Sequence, residues 1–267
     1  MVDGLSKMDA RTSIMIFPEA KASCGIEWIQ LASTNCKPVA NDRAGVYWKI
    51  GYSVHDVNQA VEDVNRLKLL PIAIGKASQF ENVGWLTHFS DPAGYIIEIL
   101  GTTFETSEEQ RKSLIANAKQ QSAPAPAPAP AINGIGQITL RVSDKARALA
   151  FYTDVLGMKL ICVESVSKYG FFLFFLAYTE ESPPNQDLEH VDNREWCYQR
   201  PYTTLELQWN SSSDGPTALS GANLPPDQAG FDSFTVFASR SLRAKLGAAC
   251  EFVKDPDGTL IYVKDAT

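Results

Sequence analysis

Two glutamates lie inside apolar segments whose alternation predicts β-strands, and they are the first residues to consider for chemistry. Glu98 falls in residues 95–100 (YIIEIL) and Glu206 in residues 202–210 (YTTLELQWN). Along a strand, successive side chains point to opposite faces, so each carboxylate points away from its apolar neighbours. Burying an unpaired carboxylate is costly, which leaves three interpretations: a ligand, an ion-pair partner or an edge residue.

Three further polar residues share strand faces with one another or with these carboxylates. Gln137 and Arg141 lie on the same face of residues 137–142 (QITLRV), and Asn210 lies on the same face as Glu206. Gln137 could be a polar edge residue and Arg141 a salt-bridge partner. Their presence together with Glu206 favours a functional cleft.

A strand, a helix-capping aspartate and an amphipathic helix occur twice in the same order. Residues 49–64 (KIGYSVHDVNQAVEDV) switch from alternation to helical spacing at Asp56, and residues 137–156 do so at Asp144. A weaker third copy, residues 233–246, has Ser239 or Arg240 at the position of the cap. The chain is therefore built from repeated units.

Each of two β-rich runs begins with a turn of the same kind. Residues 90–100 (SDPAGYIIEIL) and 254–263 (KDPDGTLIYV) both start with Asp-Pro and carry a glycine suited to a positive φ. Adding these strands to each repeat predicts βαβββ units and an α+β fold. Because one unit alone leaves a sheet edge or face bare, the units should be paired.

Charge, apolar runs and cysteine content argue against some classes of partner and cellular location. The net charge of −7 comes without any run of Lys or Arg, which argues against nucleic acid. The longest apolar run, residues 171–178, is too short to cross a membrane, and residues 1–13 lack the apolar stretch of a signal peptide. Five scattered cysteines with no CxxC pair predict reduced thiols and a cytoplasmic protein.

Several motifs in order resemble the vicinal oxygen chelate superfamily, and within it the glyoxalase I enzymes. The resemblance is carried by residues 137–142 (QITLRV), 151–160 (FYTDVLGMKL), 170–178 (GFFLFFLAY) and 202–210, with IGYSVHDV and DPAGYIIEIL in the N-terminal half. It is strong over about residues 135–210, moderate over 36–104 and weak over 211–267. It implies paired βαβββ units around a metal-binding cleft.

The repeats and the resemblance together predict a domain organisation. Residues 1–35 resemble remnant strands of a truncated first unit, residues 36–105 form one βαβββ unit, and residues 134–267 form a glyoxalase-like domain of two units. Between them, residues 106–133 contain a polar helix and an extended Ala/Pro spacer (residues 122–131, SAPAPAPAPA). A bare partner face in the remnant unit would favour a homodimer.

In the family, four metal ligands come from inward-facing strand positions of two units. The resemblance assigns Gln137, Glu206 and Glu98 to three of them, with Glu98 as the expected catalytic base. The fourth position is Lys49, where the family has His or Glu. A protonated amine has no lone pair for a metal, so Lys49 could instead form a salt bridge with the glutamates.

A second ligand set would use the other pair of units. Glu27 is a candidate from the remnant, but Ser233 and Tyr262 stand at the positions of the remaining protein ligands. The second site is therefore predicted to be inactive. The three histidines, His55, His88 and His190, are interpreted as surface or core residues.

The resemblance also implies how a substrate would be held. Arg141, Asn210 and Lys76 match positions that contact glutathione, and Arg43 could assist from the preceding loop. A phenylalanine-rich strand, residues 171–175, resembles the apolar wall beside the reacting carbonyl, although half of it must face the core.

The implied activity is that of a lactoylglutathione lyase. Such an enzyme isomerises the hemithioacetal of methylglyoxal and glutathione to S-lactoylglutathione, with Zn²⁺ or Ni²⁺ polarising the substrate oxygens and Glu98 or Glu206 moving the proton. The alternative is a non-catalytic or metal-free binding protein of the same fold, in which Lys49 replaces the ion.

Overall fold

The computed structural model describes residues 11–16, 25–28, 45–67, 74–91, 94–104, 134–211 and 230–265. Arg43, the predicted polar helix and the Ala/Pro spacer lie outside these ranges. The strands are β1 (Arg11–Ile16), β2 (Gly25–Trp28), β3 (Tyr47–Val54), β4 (Ser78–Phe80), β5 (Gly84–Ser90), β6 (Ile96–Gly101), β7 (Gly134–Val142), β8 (Lys159–Val166), β9 (Phe171–Ala177), β10 (Thr204–Asn210), β11 (Gly230–Ala238), β12 (Phe252–Lys254) and β13 (Leu260–Asp265). The α-helices are α1 (Val57–Leu67), α2 (Lys145–Ala150), α3 (Asp192–Tyr198) and α4 (Arg240–Leu246).

Two βαβββ units share one eight-stranded sheet, in the order β4-β5-β6-β3-β7-β10-β9-β8. In each unit the first strand lies beside and parallel to the last, as β3 does with β6 and β7 with β10. The units join where β3 pairs antiparallel with β7. The predicted α+β fold of paired βαβββ units is therefore confirmed.

The last unit belongs to a second sheet, ordered β12-β13-β11-β1-β2. Strand β11 pairs in parallel with both β13 and the N-terminal strand β1, and β2 is antiparallel to β1 at the edge. The strands predicted as one C-terminal domain thus lie in two sheets. Each of those sheets also contains strands from before the Ala/Pro spacer.

The capping residues begin their helices as predicted. Asp144 accepts hydrogen bonds from the backbone N–H groups of Ala146 and Arg147, and Asp56 accepts one from Gln59. In the third copy Ser239, rather than Arg240, is the cap of α4. A side-chain oxygen satisfies backbone donors that have no partner inside the helix.

The two Asp-Pro turns are closed by the same backbone hydrogen bond. In each, the glycine N–H donates to the carbonyl oxygen of the aspartate three residues earlier, Gly94 to Asp91 and Gly258 to Asp255, both at 3.0 Å. The glycines have φ values of 91° and 85°. Such values favour glycine because it lacks a Cβ.

The alternation predicted for β3, β7 and β9 divides their side chains between core and cleft. Ile50, Ile138 and Leu140 are buried in the main core. On β9, Phe174 also packs there, whereas Phe171 lines a cleft on the other face of the sheet. Within the described residues, no helix is long and apolar enough to span a membrane.

We expect Asp144→Ala to lower the free energy of unfolding by about 1 kcal/mol, because two backbone N–H groups of α2 lose their acceptor. Asp144→Asn is the matched control and should retain most of the stability, since asparagine caps helices about as well. Denaturant midpoints measure both. An asparagine variant as unstable as the alanine variant would contradict the capping explanation.

Candidate functional site

Strand register brings the predicted site residues into two neighbouring rows on one face of the sheet. In one row, Gly51 of β3 is paired with Glu98 on one side and Gln137 on the other. In the next row, Thr139 of β7 lies between Lys49 and Glu206. The β3–β7 pair is the seam between the two units. Four polar side chains from four strands converge there: Lys49, Glu98, Gln137 and Glu206.

A glycine makes the first row possible. A Cβ added at Gly51 would lie 2.6 Å from Cγ of Gln137, closer than side-chain carbons tolerate. The Gln137 side chain therefore extends across β3, and its Nε2 donates to Glu98 Oε1 at 2.7 Å. The absence of a side chain at residue 51 lets a residue of one unit reach a carboxylate of the other.

Lys49 lies between the two carboxylates. Its Nζ is 2.7 Å from Glu98 Oε1 and 3.5 Å from Glu206 Oε2, and the three side chains are at most 7% exposed. Burial alone would lower the pKa of Lys49, but Glu206 and Glu98 outweigh it and the net shift is upward. The ammonium form is favoured, so Lys49 acts as a fixed positive charge.

Glu98 is surrounded by donors. Besides Lys49 and Gln137, His88 Nε2 lies 2.8 Å from Glu98 Oε2. Burial would raise the pKa of this carboxyl, yet the Lys49 charge and the His88 contact bring it to about 2. A carboxylate stabilised in this way is a weak base, which disfavours the catalytic role predicted for Glu98.

Glu206 has the opposite character. Burial and the neighbouring charge of Glu98 raise its pKa, although Lys49 opposes the shift. One of its oxygens, Oε1, is buried and has no hydrogen-bond partner among the described residues. Of the two carboxylates, Glu206 is therefore the stronger base and the one with an oxygen available for a further interaction.

His88 is a surface residue, as predicted, with a side chain 36% exposed, but it also belongs to the site. Its ring stacks on Trp48 with centroids 5.8 Å apart, and the guanidinium of Arg141 lies over the same indole at 4.6 Å. The signal was present in the sequence. Counting back from the Asp-Pro turn, where Asp91 faces Tyr95, places His88 opposite Glu98.

A charged cluster of Lys49, Glu98, Glu206 and His88 forms part of the lining of a cleft of about 600 Å³. Of the predicted substrate residues, Arg141, Asn210 and Lys76 line this cleft, while Arg43 lies outside the described residues. Arg141 donates to the carbonyl oxygens of Gly45 and Tyr47, at 3.1 and 2.9 Å. It therefore also fixes the start of β3, beside Lys49.

Aromatic side chains from both units form another wall of the cleft. Phe80 of the first unit stacks on Phe171 of the second at 6.4 Å and packs against Tyr169 at 5.2 Å. At the surface beside them, Lys168 Nζ lies 2.7 Å from Glu81 Oε1. The cleft therefore combines this aromatic wall with a charged floor formed by Lys49, Glu98 and Glu206.

A third buried carboxyl, Glu164 on β8, also influences Lys49. Burial raises its pKa to about 8. The Tyr198 hydroxyl lies 2.5 Å from Glu164 Oε1 and 2.6 Å from the carbonyl oxygen of Val83. One hydroxyl proton cannot serve two acceptors, so a protonated Glu164 that donates to Tyr198 completes the chain of hydrogen bonds.

The donor set at the seam does not fit the divalent metal that the resemblance implies. Gln137, Glu98 and Glu206 supply oxygen atoms, but the fourth position carries the ammonium of Lys49. A doubly charged ion about 4 Å from an ammonium would be repelled by about 8 kcal/mol at an effective dielectric constant of about 20. Within the described part of the chain, no three His, Cys, Asp or Glu side chains group as a metal site.

The second ligand set shows no carboxylate at the two positions whose side chains the structure describes. Ser233 is fully buried in β11, and Tyr262 is 38% exposed on β13. The side chain of Glu27 is outside the described residues, although its backbone lies in β2. The prediction that this site is inactive stays a prediction.

Comparisons with known proteins agree with this architecture. The family model described as Glyoxalase/Bleomycin resistance protein/Dioxygenase superfamily matches residues 134–191. A lactoylglutathione lyase of Pseudomonas aeruginosa is 32% identical over 153 residues, covering 48% of this chain and 80% of that protein. The chain belongs to this glyoxalase superfamily. A lactoylglutathione lyase of Pseudomonas putida is 28% identical over 152 residues, covering 48% of this chain and 82% of its own length.

A solved structure of the glyoxalase superfamily extends the likeness over most of the fold. Glyoxalase I from Zea mays aligns with a TM-score of 0.50 at 16% identity, covering 92% of this chain and 75% of that one. At this level of identity the likeness concerns the fold alone.

We expect Lys49→Met to lower the free energy of unfolding at pH 7 by about 3–5 kcal/mol, because it leaves two buried carboxylates without their shared cation. The loss should shrink toward pH 5, where a carboxyl can take up a proton. Lys76→Met, at an exposed lysine of the same cleft, is the control and should change stability by no more than about 0.5 kcal/mol. Denaturant unfolding at both pH values decides; equal effects of the two variants would refute the buried ion pair.

Glu164 makes stability depend on pH. Its pKa in the folded protein, about 8, lies above the usual value of 4.5, so the folded state binds the proton more tightly. The contribution of Glu164 to the free energy of unfolding is complete below about pH 4.5 and is lost as the pH rises toward 8. Glutamine mimics the protonated acid, so Glu164→Gln should match the wild type near pH 4.5.

At pH 8 the same variant should be more stable than the wild type by at least about 1 kcal/mol, or about 2–4 °C in Tm. Calorimetry from pH 4.5 to 9 measures the difference. Glu164→Ala, which removes the partner of Tyr198, should be destabilising throughout. A glutamine variant whose Tm runs parallel to that of the wild type would show that Glu164 is ionised in the folded protein.

Proposed function

We propose that this protein is a glyoxalase-like isomerase acting on the hemithioacetal of glutathione and a 2-oxoaldehyde. One observation carries the proposal: two buried glutamates, one from each unit, face a shared cation at the floor of a cleft that also has cations on its walls. The relatives named lactoylglutathione lyase support the same choice of reaction.

The cleft has a surface suited to each part of this substrate. Glutathione carries two carboxylates, and Lys76 and Arg141 offer positive charges to them, with Asn210 as a further hydrogen-bonding group. The aldehyde-derived end is small and apolar for methylglyoxal, and it would pack against Phe171 and Leu173. The reacting carbons would then lie above the charged cluster.

The reaction moves one proton between neighbouring carbons. Glu206 takes the proton from C1, the carbon bonded to sulfur, and the electron pair forms the C1=C2 double bond as the C2 carbonyl oxygen becomes an alkoxide. Glu206 returns the proton to C2, while the hydroxyl proton passes from the C1 oxygen to the C2 oxygen. The product is the 2-hydroxyacyl thioester, S-lactoylglutathione for methylglyoxal.

We assign the base to Glu206 rather than to Glu98 because of their surroundings. A general base is most effective when its pKa approaches the working pH, and the pKa is raised at Glu206 but about 2 at Glu98. Glu206 also has a buried oxygen without a described partner, whereas Glu98 is held by three neighbours. Glu98 positions Lys49, Gln137 and His88.

A second candidate function is binding without turnover. The specific observation in its favour is that Lys49 already neutralises much of the carboxylate charge, which could leave a cleft that only holds an anionic thiol conjugate. Titration with glutathione and with its S-alkyl derivatives separates the candidates. Binding of these ligands without thioester formation would favour this alternative.

Paired glutamine variants test the proposed reaction, followed by the ultraviolet absorbance of the thioester formed from methylglyoxal and glutathione. We expect Glu206→Gln to lower kcat by about 100-fold or more, because it removes the general base. Glu98→Gln should cost about tenfold through misplacement of its neighbours. The reverse order would return the role of base to Glu98, and an inactive wild type would refute the proposed function.

A further inference from the structure

The cation of this site is part of the polypeptide. Lys49 lies at the strand position that holds a metal ligand in the enzymes this chain resembles. Its side chain removes that ligand and also brings a positive charge to the place of the ion. Its Nζ lies between Glu98 of one unit and Glu206 of the other, as a bound cation would.

The neighbours of Lys49 preserve this arrangement. In the paired row of strands, the small residue Thr139 of β7 lies between Lys49 and Glu206, so the lysine can extend toward Glu206 across β7. Arg141 ties the backbone before Lys49 through the carbonyl oxygens of Gly45 and Tyr47. The ammonium is therefore held at the seam by residues of both units.

Lys49 is also reachable by a ligand. It lines the cleft together with Glu98 and Glu206. An ammonium has three N–H donors, and the two carboxylates engage two of them. A substrate oxygen above the cluster could accept the third.

We propose that Lys49 is the electrophile of this site and replaces the divalent metal, so that the protein works without a metal cofactor. The catalytic part rests on the proposed function: as Glu206 takes the proton from C1, the Lys49 ammonium donates a hydrogen bond to the C2 oxygen that becomes negative. A preorganised charged donor is effective at such a position because it needs no reorganisation as charge develops.

Metal binding tests the replacement independently of turnover. In calorimetric titrations, the metal-free wild type should bind no Zn²⁺ or Ni²⁺ at this site. Any weak binding elsewhere should be the same in Glu206→Gln. Lys49→His removes the ammonium and adds an imidazole, and it should gain one zinc site per chain, lost again in Lys49→His/Glu206→Gln. Lys76→His adds a histidine at an exposed position of the same cleft that forms no described ion pair with Glu98 or Glu206, so it should gain no such site.

One zinc or nickel ion per wild-type chain, bound with micromolar affinity and lost in Glu206→Gln, would overturn the proposal. The wild-type titration decides this even if the Lys49→His variant fails to fold.

Turnover tests the catalytic part. A chelator should leave the rate of wild-type thioester formation within about twofold, and Lys49→Gln should lower kcat by about 100-fold or more. Loss of wild-type activity on chelation, with recovery on adding metal, would overturn the role of Lys49. Absence of any activity would refute the proposed function, whereas the metal titration would still decide whether Lys49 takes the place of the ion.

Discussion

The ion pairs between Lys49, Glu98 and Glu206 are the constraint on which the rest of the site depends. Two buried carboxylates from different units approach the same point, and their repulsion and lost hydration must be offset. The lysine does this from β3, the strand that also forms the seam with β7. The same contacts therefore stabilise the join between the units and set the charge at the floor of the cleft.

The surroundings make the two glutamates chemically different. Glu98 is held by Lys49, Gln137 and His88, which stabilise its charge. Glu206 is buried with fewer donors, so its charge is less favoured and its basicity higher. Two identical side chains on equivalent strands can thus have different roles, because the cross-strand neighbours of each differ.

A site built on cross-strand neighbours is sensitive to small residues that have no chemical role of their own. Gly51 has no side chain to act, yet its missing Cβ is what lets Gln137 reach Glu98. Thr139 similarly separates Lys49 from Glu206. Changes at these two positions should alter the cluster although neither residue carries a charge.

The sequence by itself determined the units and the face on which each site residue lies. Alternation and capping residues are local properties, so Asp56 and Asp144 marked two of the helices, and the alternation alone placed Glu98, Glu206 and Gln137 on their strand faces. Only the tertiary structure decided which faces meet, because pairing between distant strands is not a local property. It joined the last unit to the N-terminal strands, brought His88 to Glu98, and placed the Lys49 ammonium between two carboxylates whose strands are far apart in sequence.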